Sequence, residues 1–195
     1  MKRVSTILLL GAVLAAGSAQ AAVYSIDPVH SSVSFKVKHM VISHVTGNFT
    51  KFSGTFNYDA SAPGKSSVEA TIDAASIDTR MAKRDEDVRS PSFLDVVKYP
   101  QIVFKSTQVA QEGPDKLKVT GDLTLHGVTK SVILDVTMGG ETKDPWGNTR
   151  AGFEATTSIK RQDFNLTYNK LLESGGLVVG EDVDITLEIE GVKAK

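Results

Sequence analysis

From residue 30 onward the chain alternates apolar and polar side chains, the period of a strand with one buried face. In "HSSVSFKVKHMV" Val33, Phe35, Val37, His39 and Val41 fall on one side; Ser32, Ser34, Lys36, Lys38 and Met40 fall on the other. The same period aligns Phe52, Phe56 and Tyr58, then Val68, Ala70 and Ile72, then Ile102 and Phe104. It continues with Leu117, Val119, Leu123 and Leu125, and with Val132, Leu134, Val136 and Met138. Phe153, Ala155 and Ile159 form the next set, and Val183, Ile185, Leu187 and Ile189 the last. Eight strands are thereby predicted. The segments between them, such as "DASAPGK", "QEGPDK" and "MGGETKDPWGN", are rich in Gly, Pro, Asp and Asn, the residues of turns. "HGVTK" joins two well-patterned strands and reads as a hairpin. Many short strands at such spacing predict an all-β sandwich or barrel.

Two segments break the alternation. "TRMAKRDEDVR", residues 79–89, is charged and free of Gly and Pro, which predicts a helix with Thr79 as its cap. "SPSFLDVVKYP" extends the helical region to about residue 98, with Ser90 as a cap and Pro91 at a first helical position. "LTYNKLLESGG" predicts a short helix near 166–174, closed by Gly175. Either could cover an end of a barrel, and a cover at 79–98 would be mobile if a ligand entered there. Trp146, in the "DPWGN" loop, marks the alternative rim.

The first residues have a different character. Lys2 and Arg3 precede an apolar run, and small residues close it as "AQAA". This is the three-part pattern of a secretory signal peptide, with cleavage expected after Ala21. The expected mature chain, residues 22–195, is one domain with a periplasmic address and no integral membrane span. Losing Lys2 and Arg3 takes the formal charge from −1 to −3. A mixed, near-neutral surface argues against nucleic acid and against a polybasic membrane binder. There is no cysteine, which removes disulfides, thiolate metal sites, cysteine nucleophiles and a lipid anchor at the cleavage site.

Candidate chemistry narrows to histidines and arginines. His39 continues the inward Val33–Phe35–Val37 face. His30 stands at the strand entry and His44 lies five residues beyond His39. Their spacing matches no zinc pattern, and His126 could join only through tertiary folding. No catalytic motif is recognisable, so no catalytic residue and no metal ligand are assigned. Arg84, Arg89 and Arg161 sit in segments between strands, where a barrel mouth would be. Arginine can grip phosphate with two prongs; the competing role is an ion pair, Arg84 with Asp95 or Arg161 with Asp163.

Several blocks together resemble the YceI family: "YSIDPVHSSVSFKVKHM", "GNFTKFSGTF", "ASIDTRMAKRDEDVRSPSFLDVVKYPQIVFKST", "VTGDLTLHGVTKSVILDV" and "IKRQDFNL". The resemblance spans nearly all of the mature chain. It implies an eight-stranded antiparallel lipocalin-like β-barrel. It also implies an apolar cavity that takes an isoprenoid chain, such as a polyprenyl pyrophosphate or a quinone-like lipid, or a related amphiphile. Carriage, storage and stress response are the roles it suggests. On this reading the cavity is lined by Val33, Phe35, Val37, His39, Phe52, Phe56, Tyr58, Ile72, Phe104, Leu123, Leu125, Leu134, Val136, Phe153, Ile185 and Leu187. His39, Arg84 and Arg161 are the expected head-group contacts. The only bound group expected is the lipid itself, with no other cofactor, and a homodimer is left open. Ala70, Ala155, Gly54 and Gly121 on the inner faces would leave space. Two other functions remain open from the residues alone: metal binding by His30, His39, His44 and His126, and an enzyme acting on a lipid.

Overall fold

The computed structural model describes residues 22–59, 61–173 and 175–194, so the expected signal peptide at 1–21 lies outside the described residues. Strands run over Ala22–Ile26 (β1), Ser32–His39 (β2), Ser43–Phe49 (β3), Phe52–Tyr58 (β4), Ser67–Asp73 (β5) and Ile77–Asp78 (β6). One helix, α1 at Ala82–Arg89, precedes Gln101–Gln111 (β7), Lys116–Leu125 (β8), Val128–Lys143 (β9), Thr149–Lys160 (β10) and Val179–Lys193 (β11).

These eleven segments make eight strands of a closed barrel. β11 pairs with β2 through Val179–Glu188 and with β1 through Gly191–Lys193, so β1 and β2 act as one strand interrupted at 27–31. β3 and β4 form a second broken strand, pairing with β2 and β1 respectively. β5 and β6 form a third, against β4 and β3. β7 to β11 then follow in sequence order, each antiparallel to the last. Closure of β11 onto β1 and β2 pairs the edges that an open sheet would expose. All eight sequence patterns fall on these strands, except that the first ends at His39 and its Met40 and Val41 lie in the following turn. The pieces without a pattern are β1, β3 and β6. They are short, or in β3 carry Gly47 where an alternating apolar residue would stand.

Local chemistry explains the ends of the elements. His126 and Gly127, both at positive φ (51° and 74°), make the two-residue turn of the β8–β9 hairpin. Pro91 does not open a helix. It holds Ser90 extended (φ −68°, ψ 166°), because a residue before proline is excluded from the helical region, and α1 therefore stops at Arg89. Residues 91–98 form turns, so only 82–89 of the helical region expected at 79–98 is helix. Thr79 is not the cap either; Met81 occupies that position without a side-chain hydrogen bond. Thr79 is buried, and both its amide and its hydroxyl donate to Asp85 Oδ1, at 2.8 and 2.6 Å.

The helix expected near 166–174 does not form among the described residues. Asn169 donates to the Val179 carbonyl and accepts from the Val179 amide. The Val178 amide donates to Lys170, and the Leu172 amide donates to Gly176. These bonds commit the backbone across a small hairpin bridged by Leu171 and Leu177, with Gly175 at φ 83°. A 3-10 turn at Arg161–Phe164 precedes it.

Candidate functional site

The inward faces leave a cavity of about 670 Å³ inside the barrel. Val33, Phe35, Val37 and His39 reach it from β2; Phe52, Phe56 and Tyr58 from β4; Ile72 and Phe104 from β5 and β7. Leu123, Leu125, Leu134, Val136, Phe153, Ile185 and Leu187 complete its wall from β8 to β11. Every residue expected at the lining thus borders one space. Others there carried a readable signal: Leu117 and Val119 share the parity of Leu123 and Leu125. Ile26, Val45 and Phe49 did not, because β1 and β3 lack a run of alternation. Space is made differently from the expectation. Gly121 is covered by the Phe104 ring, and the edge of Gly54 lies against the β5 backbone.

At the β1 end, aromatic rings fill the barrel. Tyr24, fully buried, stacks on Phe56 with centroids 5.0 Å apart, and Phe153 meets Phe56 and Tyr58 edge-on at 5.2 and 5.3 Å. The Tyr24 hydroxyl donates to Glu141, and its burial followed by this bond raises its pKa. Arg150 locks the same end from outside. Its Nη1 donates to Asp27 (2.8 Å) and Glu190 (2.5 Å), and its Nε to Asp144 (2.9 Å). Asp27 also meets His30 Nδ1 at 2.8 Å; that bond first, and Arg150 second, hold its pKa at about 2. No local pattern marked Arg150, since two of its three partners, Asp27 and Glu190, come from distant stretches of chain.

The opposite end is framed by the 40–42 turn, α1 with residues 90–100, and residues 161–178. Exposed Lys38, Asp87 and Ser92 border the cavity here, together with His39, Arg84 and Arg161. Ser67 is the exposed lining residue near the aromatic end. Arg84 turns to Thr79 rather than Asp95: Nε donates to Oγ1 and Nη2 to the carbonyl, both at 2.7 Å. Arg89 donates to the carbonyls of Ala75 and Ile77. With Asp85 bound to Thr79, these contacts rivet α1 to the barrel wall. Arg161 is 4% exposed and donates to the carbonyls of Gly180 (2.8 Å), Val179 (3.3 Å) and Leu166 rather than to Asp163. Burial lowers its pKa, and the carbonyl oxygens replace the water it has lost.

The four histidines are not brought together. His44 stands opposite Lys38 on β3. His126 Nδ1 lies 3.2 Å from the Phe164 carbonyl, with its ring edge-on to Tyr99. Among the described residues, the metal-ligating side chains that converge are Asp27, His30 and Glu190, and the Arg150 guanidinium already bridges both carboxylates.

Known proteins resemble this chain in sequence and in fold. The model of the YceI-like domain matches residues 24–191. A UPF0312 protein of Ectopseudomonas mendocina is 43% identical over 195 residues, covering 99% of each chain. Protein YceI of Escherichia coli O157:H7 is 44% identical over 182 residues, covering 92% of each. Among solved structures, Burkholderia cenocepacia BcnA superposes with a TM-score of 0.75 at 28% identity, over 85% of this chain and 98% of that one. A polyisoprenoid binding domain from Saccharophagus degradans shares the fold at 18% identity, with a TM-score of 0.65 over 90% of this chain and 100% of that one.

Proposed function

The chain belongs to the family of YceI-like domains, and from that premise we propose that it is an exported lipid-binding protein holding an isoprenoid tail, or the tail of a related amphiphile, inside its barrel. The continuous apolar cavity carries this reading. Its volume lies within the range of small-molecule sites, and its wall is built from aliphatic and aromatic side chains. Burying roughly 20 tail carbons at about 0.8 kcal/mol each gives a gross gain of about 16 kcal/mol. Lost freedom on association opposes it by an estimated 4 to 15 kcal/mol. Useful affinity therefore needs neither a metal nor a reaction. Apolar contact is poorly directional, so the tail is read loosely and selectivity belongs to the head group.

The mouth in this reading is the rim carrying His39, Arg84 and Arg161, opposite the aromatic plug. Arg161 is already caged by carbonyl oxygens, so its role is to hold residues 161–180 around the head group and to lend it positive potential. Arg84 offers the more direct contact. The signal-peptide pattern at residues 1–21 supports a periplasmic carrier or store, which cell fractionation tests. Purification from the native host, organic extraction and mass spectrometry test the ligand. A co-purifying prenyl lipid is the expected result. The absence of any long apolar chain, with no uptake of a fluorescent prenyl probe by the purified protein, would overturn the reading.

A further inference from the structure

We propose that the rim around the cavity mouth docks on a lipid bilayer, so that a tail passes between membrane and barrel without crossing water; this rests on the cavity being a lipid site. The turn joining β2 to β3 is the first observation. The Ile42 amide closes it onto the His39 carbonyl at 3.2 Å, and Met40 and Val41 between them both have positive φ, 51° and 65°. Paired left-handed residues in a tight hairpin turn call for Asn-Gly; an L-residue with a Cβ is strained there, a branched one most. Instead of a polar turn sequence, the strained loop presents Met40, Val41 and Ile42 to solvent, Ile42 at 85% exposure.

The second observation is that this turn has company at the same end of the barrel. Val41 reaches toward Gly176 in the small hairpin that carries Leu171, 76% exposed. The 91–98 turns touch the same region through Phe93 and Tyr168, whose rings lie 4.5 Å apart, and they carry Val97, 93% exposed. Single exposed apolar residues are ordinary. Three loop tips that each end in one, around the opening of one apolar cavity, are a pattern. Separate protruding tips suit insertion among lipid head groups, whereas a protein partner needs a contiguous, complementary face.

Charge supplies the third observation. Lys98 and Lys170 stand beside Val97 and Leu171 in sequence, and Lys38 two residues before Met40; all three are exposed, and none forms an ion pair among the described residues. Of the acids nearby, Glu86 and Asp87 are held by Lys83, Asp78 accepts from the Arg80 amide and Glu181 from Gln162. Asp182 pairs with Lys160 and Asp184 accepts from Ser158; Asp95, Asp163 and Glu173 remain. Basic side chains flanking apolar tips match an anionic leaflet, with long stems lying along the interface.

The test uses the mature chain and vesicles of phosphatidylcholine with one quarter phosphatidylglycerol. The wild type is expected to cosediment with them, and added salt to weaken it. The triple variant Ile42→Ser, Val97→Ser, Leu171→Ser changes exposed residues outside the cavity wall and is expected to bind vesicles at least about tenfold more weakly. Its uptake of a fluorescent prenyl alcohol delivered from cyclodextrin should equal that of the wild type, which separates failure of docking from failure of lipid binding. A second variant, Met40→Asn with Val41→Gly, relieves the turn; it should raise Tm while weakening vesicle binding, a combination that a purely structural turn would not give. A wild type that ignores vesicles, or a triple variant that binds them undiminished, would overturn the proposal. So would a wild-type dimer that the triple variant dissociates without change in vesicle binding, since a second copy would then cover the tips.

Discussion

The ring of Phe35 lies across Gly47, its direct partner on the neighbouring strand. The device recurs: Phe104 covers Gly121, and Phe56 covers Gly191. In each case a glycine receives an aromatic ring from a nearby strand. The missing Cβ leaves room for the ring against the strand backbone, which the ring shields.

Adding one methyl group separates two kinds of glycine. In Gly47→Ala the new Cβ runs into Phe35 Cζ, with Cε1 at 2.8 Å and Thr79 Cγ2 at 3.0 Å, but the ring can swing into the cavity. The expected cost is about 1–3 kcal/mol, with reduced capacity for a long tail. In Gly54→Ala the Cβ meets the Glu69 carbonyl at 2.5 Å and Ala70 Cα at 2.9 Å, backbone atoms of β5 that cannot rotate away. Gly54→Ala should therefore be the more destabilising in urea titrations. Equal losses would mean that the β4–β5 pair yields as easily as a side chain does.

The Arg150 network should make the protein acid-sensitive in one window. The Asp27 carboxyl titrates at about 2 in the folded chain, held down first by His30 and then by Arg150; in the unfolded chain it titrates near 3.9. Asp144 is likewise lowered, first by its bond from Asn148. Groups with depressed folded values contribute stability that is fully present above about pH 4 and is lost as pH falls through the folded values. Urea midpoints of the wild type should fall between about pH 4 and pH 2, and Asp27→Asn should flatten part of that fall. A wild-type curve that declines only above pH 5 would point to other groups.

α1 should not behave as a loose lid. Asp85 and Arg84 both bind Thr79, and Arg89 binds two carbonyls of the preceding wall. Thr79→Val keeps the shape and removes the hydroxyl that serves both charged side chains. The expected loss is about 1–3 kcal/mol. In hydrogen exchange, amides of 82–89 should speed up relative to the wild type while β8 and β9 remain protected. If they already exchange freely in the wild type, the rivets are weaker than their geometry implies.

The barrel could be read from alternation because an inward face repeats every second residue wherever a strand is long. That rule located every one of the eight walls. It failed where tertiary bonds decide conformation. Nothing local distinguishes a helix at 166–174 from a loop that Asn169 ties to Val179. The same holds for Thr79, whose residue type suits a helix cap but whose hydroxyl serves a helix residue from two positions outside. Arg84 and Arg161 stood out as charges between strands, yet their partners, Thr79 and three backbone carbonyls, belong to no ion-pair pattern. Arg150 had no signal, because a network drawn from β10, β11, the 27–31 break and the loop after β9 exists only once the barrel has closed.

Ala155 offers the sharpest test of the cavity. It sits on β10 between Val136 and Leu187 on the flanking strands, 5% exposed, with its methyl group on the inner face. In a tightly packed core, Ala155→Phe would force neighbours off their rotamers at a cost of 1–3 kcal/mol or more. Here the ring has free volume before it, so urea unfolding should change by less than about 1 kcal/mol, since added apolar contact offsets local adjustment. The same ring divides the space that a long tail must occupy. A long prenyl chain should lose affinity by at least about tenfold, each excluded CH₂ forfeiting about 0.8 kcal/mol, while a chain short enough to stay at the rim keeps its own. Calorimetry with prenyl alcohols of graded length reads both effects. A variant that unfolds readily would mean that the interior is already filled. A variant that is stable but binds every length as the wild type does would place the ligand outside the barrel.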